Sequence, residues 1–216
     1  NIVVTPLYTN NGIECTGPTE TFTITVNPTA QVNEIGSQIL CNAELTDAVV
    51  FTTDNTVGTT TYAWTNNNIS IGLDDSGTGN IPSFTATAGT TSEIATIVVT
   101  PTFTYNGEEC TGPTETFTIT VNPTAEVNEI ASQVLCNTEL TDAVVFSTDN
   151  TDGTTTYSWT NDNTATGLAE SSGTGNIPSF TATATTSPEV SNIVVTPLYT
   201  NNGIECTGPT ETFTIT

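Results

Sequence analysis

Residues 109–120 read ECTGPTETFTIT, and the same twelve letters stand at residues 14–25 and 205–216. Within the stretch, Phe117 and Ile119 alternate with threonine, so one face of the segment is apolar and the other carries hydroxyl groups. A period of two is typical of a half-buried β-strand. The stretch therefore predicts a strand that recurs in each repeat of a tandem β protein.

Other segments recur at nearly the same spacing. They are NxELTDAVVF at Asn42 and Asn137, TTTY at Thr59 and Thr154, and GTGNIPSFTATA at Gly77 and Gly173. The interval is 95 residues from Cys15 to Cys110, 95 from Trp64 to Trp159, and 96 from Cys110 to Cys206. A repeat of this length is too long for a solenoid unit and indicates self-sufficient sandwich domains.

The boundaries between repeats are predicted at the two VNPTA segments, residues 26–30 and 121–125, because proline ends the last strand of a unit there. Residues 1–30 are then the C-terminal strands of a preceding, truncated repeat. Residues 31–125 form one complete β-sandwich repeat, and residues 126–216 form a second that is nearly complete. We expect the chain to begin and end inside a longer array.

Short segments rich in β-branched and aromatic residues alternate with turns built from Gly, Asn, Asp and Pro. The predicted strands of the complete repeat are QILC (38–41), AVVFTT (48–53), TTYAWT (60–65), SFTATA (83–88), ATIVVT (95–100) and TFTITV (116–121). This pattern predicts an all-β chain of tandem immunoglobulin-like β-sandwich domains with about six or seven strands each. A barrel is the alternative architecture. Pro101 is predicted at a bend or a sheet edge, because proline cannot donate a ladder hydrogen bond.

The predicted core is dominated by aromatic side chains on the inward strand faces. They are Tyr62, Trp64, Phe84, Phe117, Tyr157, Trp159, Phe180 and Phe213. An alternative function for the two tryptophans is a platform on which a sugar ring stacks. The core position is favoured, because a sandwich needs bulky filler and Tyr62 and Trp64 lie on the same strand face.

The chain has no Lys, Arg or His against 23 Asp and Glu, which gives a formal charge of −23. Nucleic acids and anionic membranes both bind through clustered Lys and Arg, so neither is an expected partner. Catalysis by Ser-His-Asp, Cys-His or Schiff-base chemistry is excluded for the same reason. Only carboxylates remain, and they lie mainly in turns, so we expect no enzymatic activity.

The five cysteines leave more than one connectivity open. The favoured pairing is Cys41 with Cys110 and Cys136 with Cys206, one bridge in each repeat, with Cys15 left over. In the rival pairing, Cys15 joins Cys41 and Cys110 joins Cys136, which links neighbouring domains. The rival requires a bridge across a strand of about 12 residues, roughly 40 Å long. The favoured pairing requires a short or kinked first strand, and free thiols are the third possibility.

Calcium is the one ion that the acidic turns suggest, because it binds six to eight oxygen ligands. Residues Asp149–Gly153 read DNTDG, whereas the equivalent turn of the other repeat has Val57 in place of Asp152. Glu126, Asn128 and Glu129 are a second candidate set, at the boundary between repeats. A solvated turn is the favoured interpretation, so no cofactor or metal is predicted.

Taken together, these motifs resemble the PKD-like repeats of giant cell-surface proteins in gliding Bacteroidetes. The resemblance covers essentially the whole chain. It is carried by TYAW (61–64), GTGNIPSFTA (77–86), VVTP (98–101), CTGP (110–113) and TFTITVNP (116–123). Tyr62-Ala-Trp64 is similar to the opening of the PKD signature, but the acidic, glycine-containing sequel is absent. The repeats are most similar to those of SprB-type gliding adhesins, which implies an extracellular location at the cell surface after type IX secretion.

The function expected from the array and the resemblance is a structural and adhesive segment of an extracellular filament that supports attachment or gliding motility. Its expected partners are neighbouring repeats of the same chain, with surface polysaccharide or the substratum beyond them, and no direct membrane contact. The alternative is a carbohydrate-binding β-sandwich module. An exposed Trp64 in a groove would favour that alternative.

Overall fold

A computed structural model describes all 216 residues, and regular structure consists of strands apart from two short 3-10 helices, Ile69–Ile71 and Thr164–Thr166. The strands are β1 (Ile2–Val4), β2 (Leu7–Asn10), β3 (Ile13–Thr16), β4 (Glu20–Phe22), β5 (Gln38–Cys41), β6 (Thr59–Asn66), β7 (Ser76–Thr78), β8 (Glu93–Tyr105), β9 (Glu108–Thr111), β10 (Glu115–Asn122), β11 (Thr154–Asn161), β12 (Ser172–Thr174), β13 (Ser191–Asn201), β14 (Ile204–Thr207) and β15 (Glu211–Ile215). The all-β prediction is confirmed. Neither helix is long and apolar enough to cross a membrane.

The sheet of the first repeat has the order β5-β10-β8-β6-β7, and β9 also pairs with β8. The long strand β8 is its centre, and only the β5–β10 pair is parallel. The second repeat has the order β12-β11-β13-β14, with β15 also on β13. There the counterpart of β5 makes a single parallel bridge, Gln133 with Ile215. The first repeat thus has six strands, within the predicted six or seven, and the second has five, fewer than predicted.

An irregular ribbon forms the layer that faces each sheet. In the first repeat it pairs Leu45 with Thr85 and Val49 with Ile81 through isolated bridges. The predictions that AVVFTT and SFTATA form regular strands are therefore wrong. Pro82 lies between the two bridges and has no N–H to donate, so the ladder is interrupted there. The two layers enclose one apolar core, as a sandwich requires.

Each repeat has its own hydrophobic core. Buried side chains between Leu40 and Val121 form one cluster, those between Val144 and Ile215 form another, and no residue belongs to both. Of the eight predicted core aromatics, Trp64, Phe117, Trp159 and Phe213 are buried, and Tyr62, Phe84, Tyr157 and Phe180 are partly buried and packed against these clusters. Burial raises the pKa of both tyrosines, although hydrogen bonds with Thr53 and Thr148 oppose the rise.

The packing of the two tryptophans explains the first glycine of the GTGN motif. A Cβ atom on Gly77 would lie 2.2 Å from the Trp64 ring, and one on Gly173 would lie 2.4 Å from the Trp159 ring. Each glycine belongs to the strand that pairs with the tryptophan's own strand. The indole therefore packs directly on the neighbouring backbone, and only glycine leaves room for it.

Pro101 lies inside β8, paired with Tyr62 of β6, so its prediction as an edge or bend residue is wrong. On the other side of β8, the partner strand changes at this point. The β10 ladder ends at Val99, and the β9 ladder begins at Thr102. The missing N–H of proline therefore falls where the ladder is already interrupted.

The N-terminal segment repeats the strand pairing of β13 to β15. Ile2 pairs with Phe22 as Ile193 pairs with Phe213, and β2 and β3 form the hairpin that β13 and β14 form later. The apolar side chains of this segment are exposed, whereas Ile193 and Phe213 are buried.

Candidate functional site: the joint between repeats

The structural feature that unites the two repeats is a closely packed contact, here named the joint. On the side of the first repeat it comprises Cys41, residues 89–92 and residues 122–125. On the side of the second repeat it comprises residues 149–153 and 199–208. A small hydrophobic cluster of Ala125, Tyr199 and Cys206 lies at its centre, with Cys41 packed against it.

A disulfide between Cys41 and Cys206 crosses the joint, with a Cα–Cα distance of 5.6 Å and 165 residues of sequence separation. Cys15, Cys110 and Cys136 are free. The predicted pairs Cys41–Cys110 and Cys136–Cys206 are therefore wrong, and so is the rival set. The one disulfide of the structure thus joins a cysteine of the first repeat to a cysteine of the second.

The wrong pairing has a simple physical cause. Cys41 ends β5 beside Asn122, at the end of the sheet where β8 begins. Cys110 lies opposite Phe103, near the other end of β8. Ten residues of β8, from Glu93 to Phe103, separate these ends, which is roughly 33 Å at 3.3 Å per residue. A disulfide requires Cα atoms within about 7 Å, so the two cysteines of one repeat cannot meet.

A tight hairpin positions Cys206. The turn between β13 and β14 consists of Asn202 and Gly203, with φ angles of 51° and 78°. Two consecutive residues with positive φ make the type of turn that matches strand twist, and Asn-Gly is its preferred sequence. The resulting register places Cys206 opposite Tyr199. Asn106 and Gly107 have the same conformation and place Cys110 opposite Phe103.

Hydrogen bonds across the joint connect groups that are partly buried. The Tyr199 hydroxyl lies 3.1 Å from the Ser92 hydroxyl and donates to the Thr151 carbonyl at 3.2 Å. The amide of Asn201 donates to Ser92 at 2.8 Å, and the amide of Asn122 donates to the Asn201 carbonyl at 3.3 Å. Tyr199 and Asn122 are both fully buried. Because the chain has no cationic side chain, neutral groups make this network.

The joint is built twice in the chain. The Asn122–Asn201 contact has a counterpart in Asn27, whose amide donates to the Tyr105 carbonyl at 3.3 Å. Asn150 donates to the Thr124 carbonyl at 3.1 Å, and the equivalent Asn55 donates to the Thr29 carbonyl at 3.2 Å. The joint before the first repeat therefore shares these two contacts with the joint after it, whereas Phe103 stands where Tyr199 does and brings no hydroxyl group.

The glycine of the CTGP motif is needed at both joints. A Cβ atom on Gly208 would lie 1.7 Å from the Ala125 carbonyl oxygen, and one on Gly112 would lie 1.9 Å from the Ala30 carbonyl oxygen. Ala30 and Ala125 are fully buried. The hairpin of each repeat thus packs directly on the backbone of the segment that enters the repeat.

Gly208→Ala is expected to open the joint, because backbone atoms must move to admit the new methyl group. Overpacking of this kind costs about 1–3 kcal/mol. The equilibrium between the Cys41–Cys206 bridge and free thiols in a glutathione buffer should shift by about tenfold toward the thiols. Gly36→Ala is the matched control, because its Cβ would meet no atom within 4 Å. Equal equilibria in the two variants would contradict this account of Gly208.

The other predicted site residues do not assemble into a site. Trp64 and Trp159 are buried in the cores, so neither offers its face to a glycan. No three His, Cys, Asp or Glu side chains come together as potential metal ligands. Asp149 instead accepts a hydrogen bond from the Asn128 amide at 3.2 Å. Sequence reasoning identified the cysteines but missed Tyr199, Gly208 and the polar residues of the joint.

No protein-family model and no curated protein matches the chain. Among solved structures, it is similar to the human Desmocollin-1 ectodomain, with 11% identity and a TM-score of 0.30 over 85% of this chain and 40% of that one. It is also similar to the FN1-FN3 domains of chicken CNTN1, with 10% identity and a TM-score of 0.28 over 87% of this chain and 66% of that one. The chain thus spans less than two thirds of each. At these TM-scores neither likeness supports an inference about this chain.

Proposed function

We propose that the chain is a shaft segment of an extracellular adhesive filament, in which its repeats hold other parts of the protein away from the cell. The observation that carries this proposal is the disulfide-locked joint. Two sandwiches with separate cores are held end to end by a covalent bond, a buried tyrosine and a hydrogen-bond network. Such a contact maintains the spacing of consecutive domains.

The dimensions of the repeat fit a spacer. The central strand β8 has 13 residues, which corresponds to about 43 Å at 3.3 Å per residue. Its two ends approach the two joints, so each repeat contributes on the order of 40 Å of reach. A formal charge of −23 with no balancing cation also discourages the repeats from collapsing onto one another.

The disulfide supports a location outside the cytoplasm, because such bonds persist in oxidising compartments. In the finer form of the proposal, the filament belongs to the PKD-like, SprB-type gliding adhesins and reaches the cell surface by type IX secretion. Its distal parts would then grip surface polysaccharide or the substratum. The resemblance of the repeat motifs is what supports this form.

Electron microscopy of intact producing cells, labelled with gold-conjugated antibodies against residues 31–216, tests the proposal. We expect gold particles along thin fibres that extend from the cell surface. Antibody fragments that cover the repeats should also reduce attachment of the cells to glass. Labelling confined to the cytoplasm, or to a compact monomer in the culture fluid, would show that the chain is not part of a surface filament.

A further inference from the structure

We propose that the free cysteines of this chain are halves of further inter-repeat disulfides, so that each repeat is bonded both to the repeat before it and to the repeat after it. The partner of each cysteine is another copy of the same type of repeat. The inference depends on the tandem arrangement and on the geometry of the joint, and it holds whatever the filament adheres to.

The cysteines fall into two structural classes. Cys41 ends the first strand of its repeat and Cys136 lies at the equivalent position of the second. Both are here named outgoing cysteines, because each lies at the end of its repeat that corresponds to the bridged end of the first. Cys15, Cys110 and Cys206 lie in the hairpin that faces the preceding repeat, and they are here named incoming cysteines. The observed bridge joins an outgoing cysteine to the incoming cysteine one repeat later. Within residues 1–216, Cys41 and Cys206 are the one pair that has this relation.

Cys136 is presented in the same way as Cys41. The backbone N–H of Cys41 donates to the Glu44 carboxylate at 2.8 Å, and that of Cys136 donates to the Glu139 carboxylate at 2.6 Å. The strand register is also the same, because Gln133 pairs with Ile215 as Gln38 pairs with Ile119. Cys136 therefore lies at the end of the second repeat that corresponds to the end of the first repeat where Cys41 forms its disulfide.

The surface around Cys136 is concave. A groove of about 450 Å³ is lined there by Leu135, Cys136 and Thr216, among other residues. In the first repeat, Val121 pairs with Leu40 in the equivalent position and is fully buried. The groove is thus the place that a continuation of β15 with the sequence of residues 121–125 would occupy. That continuation would lead the next repeat to Cys136.

Cys110 is presented in the same way as Cys206. Both follow an Asn-Gly turn, and both precede a glycine that packs on a buried alanine carbonyl. The joint that Cys110 faces is formed by Asn27 and Ala30 of the N-terminal segment. Residues 1–30 contain no counterpart of β5 and Cys41, so no outgoing cysteine among residues 1–216 lies at this joint. Cys15 has the same relation to a repeat one position earlier.

The bond-forming step is an oxidation, and a small disulfide such as glutathione disulfide supplies the oxidant. The outgoing thiolate attacks one sulfur of glutathione disulfide and releases one glutathione thiolate. The incoming thiolate then attacks the protein sulfur of the mixed disulfide and releases the second. Two protein thiols become one disulfide, and glutathione disulfide becomes two glutathione thiols.

The test lengthens the chain by one repeat, with a copy of residues 121–216 joined to Thr216. In the copy, Cys136→Ser removes the second outgoing cysteine, and Thr207→Ser gives the incoming cysteine's peptide its own mass. After refolding with glutathione disulfide and alkylation of free thiols, glutamyl endopeptidase releases the peptides for mass spectrometry. We expect the Cys136 peptide bonded to the marked peptide, and alkylation of Cys136 reduced from nearly complete in the 216-residue chain to nearly absent.

A bond between Cys136 and an unmarked cysteine peptide, or a Cys136 that stays alkylated in the lengthened chain, overturns the proposal. A second variant covers the case in which the appended copy does not fold. There a copy of residues 31–95 precedes Asn1, Ile39→Val marks that copy, and Thr111→Ser marks the Cys110 peptide. A bond between the two marked peptides supports the proposal, and a Cys110 that stays free contradicts it. Neither result depends on adhesion.

Discussion

Pulled from its two ends under oxidising conditions, the chain is expected to extend far less than a variant with Cys41→Ser. The disulfide encloses 165 residues of sequence, which hold most of both repeats. Force applied at the ends passes from Cys41 through the sulfur atoms to Cys206, so the enclosed residues carry no tension. Without the bridge they add roughly 560 Å of contour length, at about 3.4 Å per residue.

Single-molecule force spectroscopy measures this difference directly. Cys136→Ser is the matched control, because it removes a free thiol and leaves the bridge intact. Its force–extension curve should coincide with that of the parent chain, and a reducing buffer should convert both to the curve of Cys41→Ser. If the parent chain and Cys41→Ser release the same contour length, the Cys41–Cys206 bridge does not form in solution.

Replacement of Trp159 by alanine is expected to destabilise the second repeat selectively, so that in denaturant it unfolds before the first repeat. Truncation of a buried Trp costs about 3–5 kcal/mol, and a whole domain is commonly stable by only 5–15 kcal/mol. Trp159 also donates a hydrogen bond to the Gly175 carbonyl at 3.1 Å, which is lost with the ring. The two cores share no residue, so the core around Trp64 should persist.

Fluorescence of Trp64, now the sole tryptophan, reports on the first repeat, and circular dichroism reports on both. In a denaturant titration, we expect about half of the β signal to be lost first, while the Trp64 emission stays that of a buried indole. Val145→Ala serves as the control, because Val145 is an exposed apolar residue in the same repeat. Loss of the buried emission of Trp64 together with the second repeat would mean that the repeats fold as one cooperative unit.

Much of the fold was predictable, because the strands with a regular hydrogen-bond ladder also show a regular alternation of apolar and polar residues. TTYAWT and ATIVVT lie within β6 and β8, and TFTITV lies within β10. AVVFTT alternates just as well, yet it forms part of the irregular ribbon. On the partner segment Pro82 offers no N–H, and side chains bond backbone groups of the ribbon: the Gln38 amide pairs with Asp47, and the Asn80 carbonyl oxygen accepts the Phe51 N–H. An alternation pattern within one segment contains no information about its partner.

The pairing of the cysteines was predicted wrongly. Pairs within one repeat and pairs between cysteines adjacent in the sequence were weighed, whereas the observed bridge passes over Cys110 and Cys136. The pairing is decided by which end of its sandwich each cysteine occupies. The Asn-Gly hairpin before Cys206 contained the signal, because it places this cysteine beside the start of its own repeat and thus beside the preceding one.

The joint residues were missed because their role depends on close approach between segments distant in sequence. Gly208 belongs to a recurrent motif, and the sequence does not distinguish Tyr199 from the other tyrosines. Their function becomes visible once Ala125 and Ser92 are placed beside them. A recurrent glycine next to a recurrent cysteine is the pattern that would have suggested such packing.

The ring closed by Cys41 and Cys206 has a further consequence for the resistance of the protein to proteolysis. A protease that cuts a single peptide bond anywhere between these two cysteines opens the ring but leaves both fragments attached through sulfur. Two such cuts would be needed to excise a piece, and even then the flanking ends would stay connected. A nicked molecule therefore remains a continuous tether.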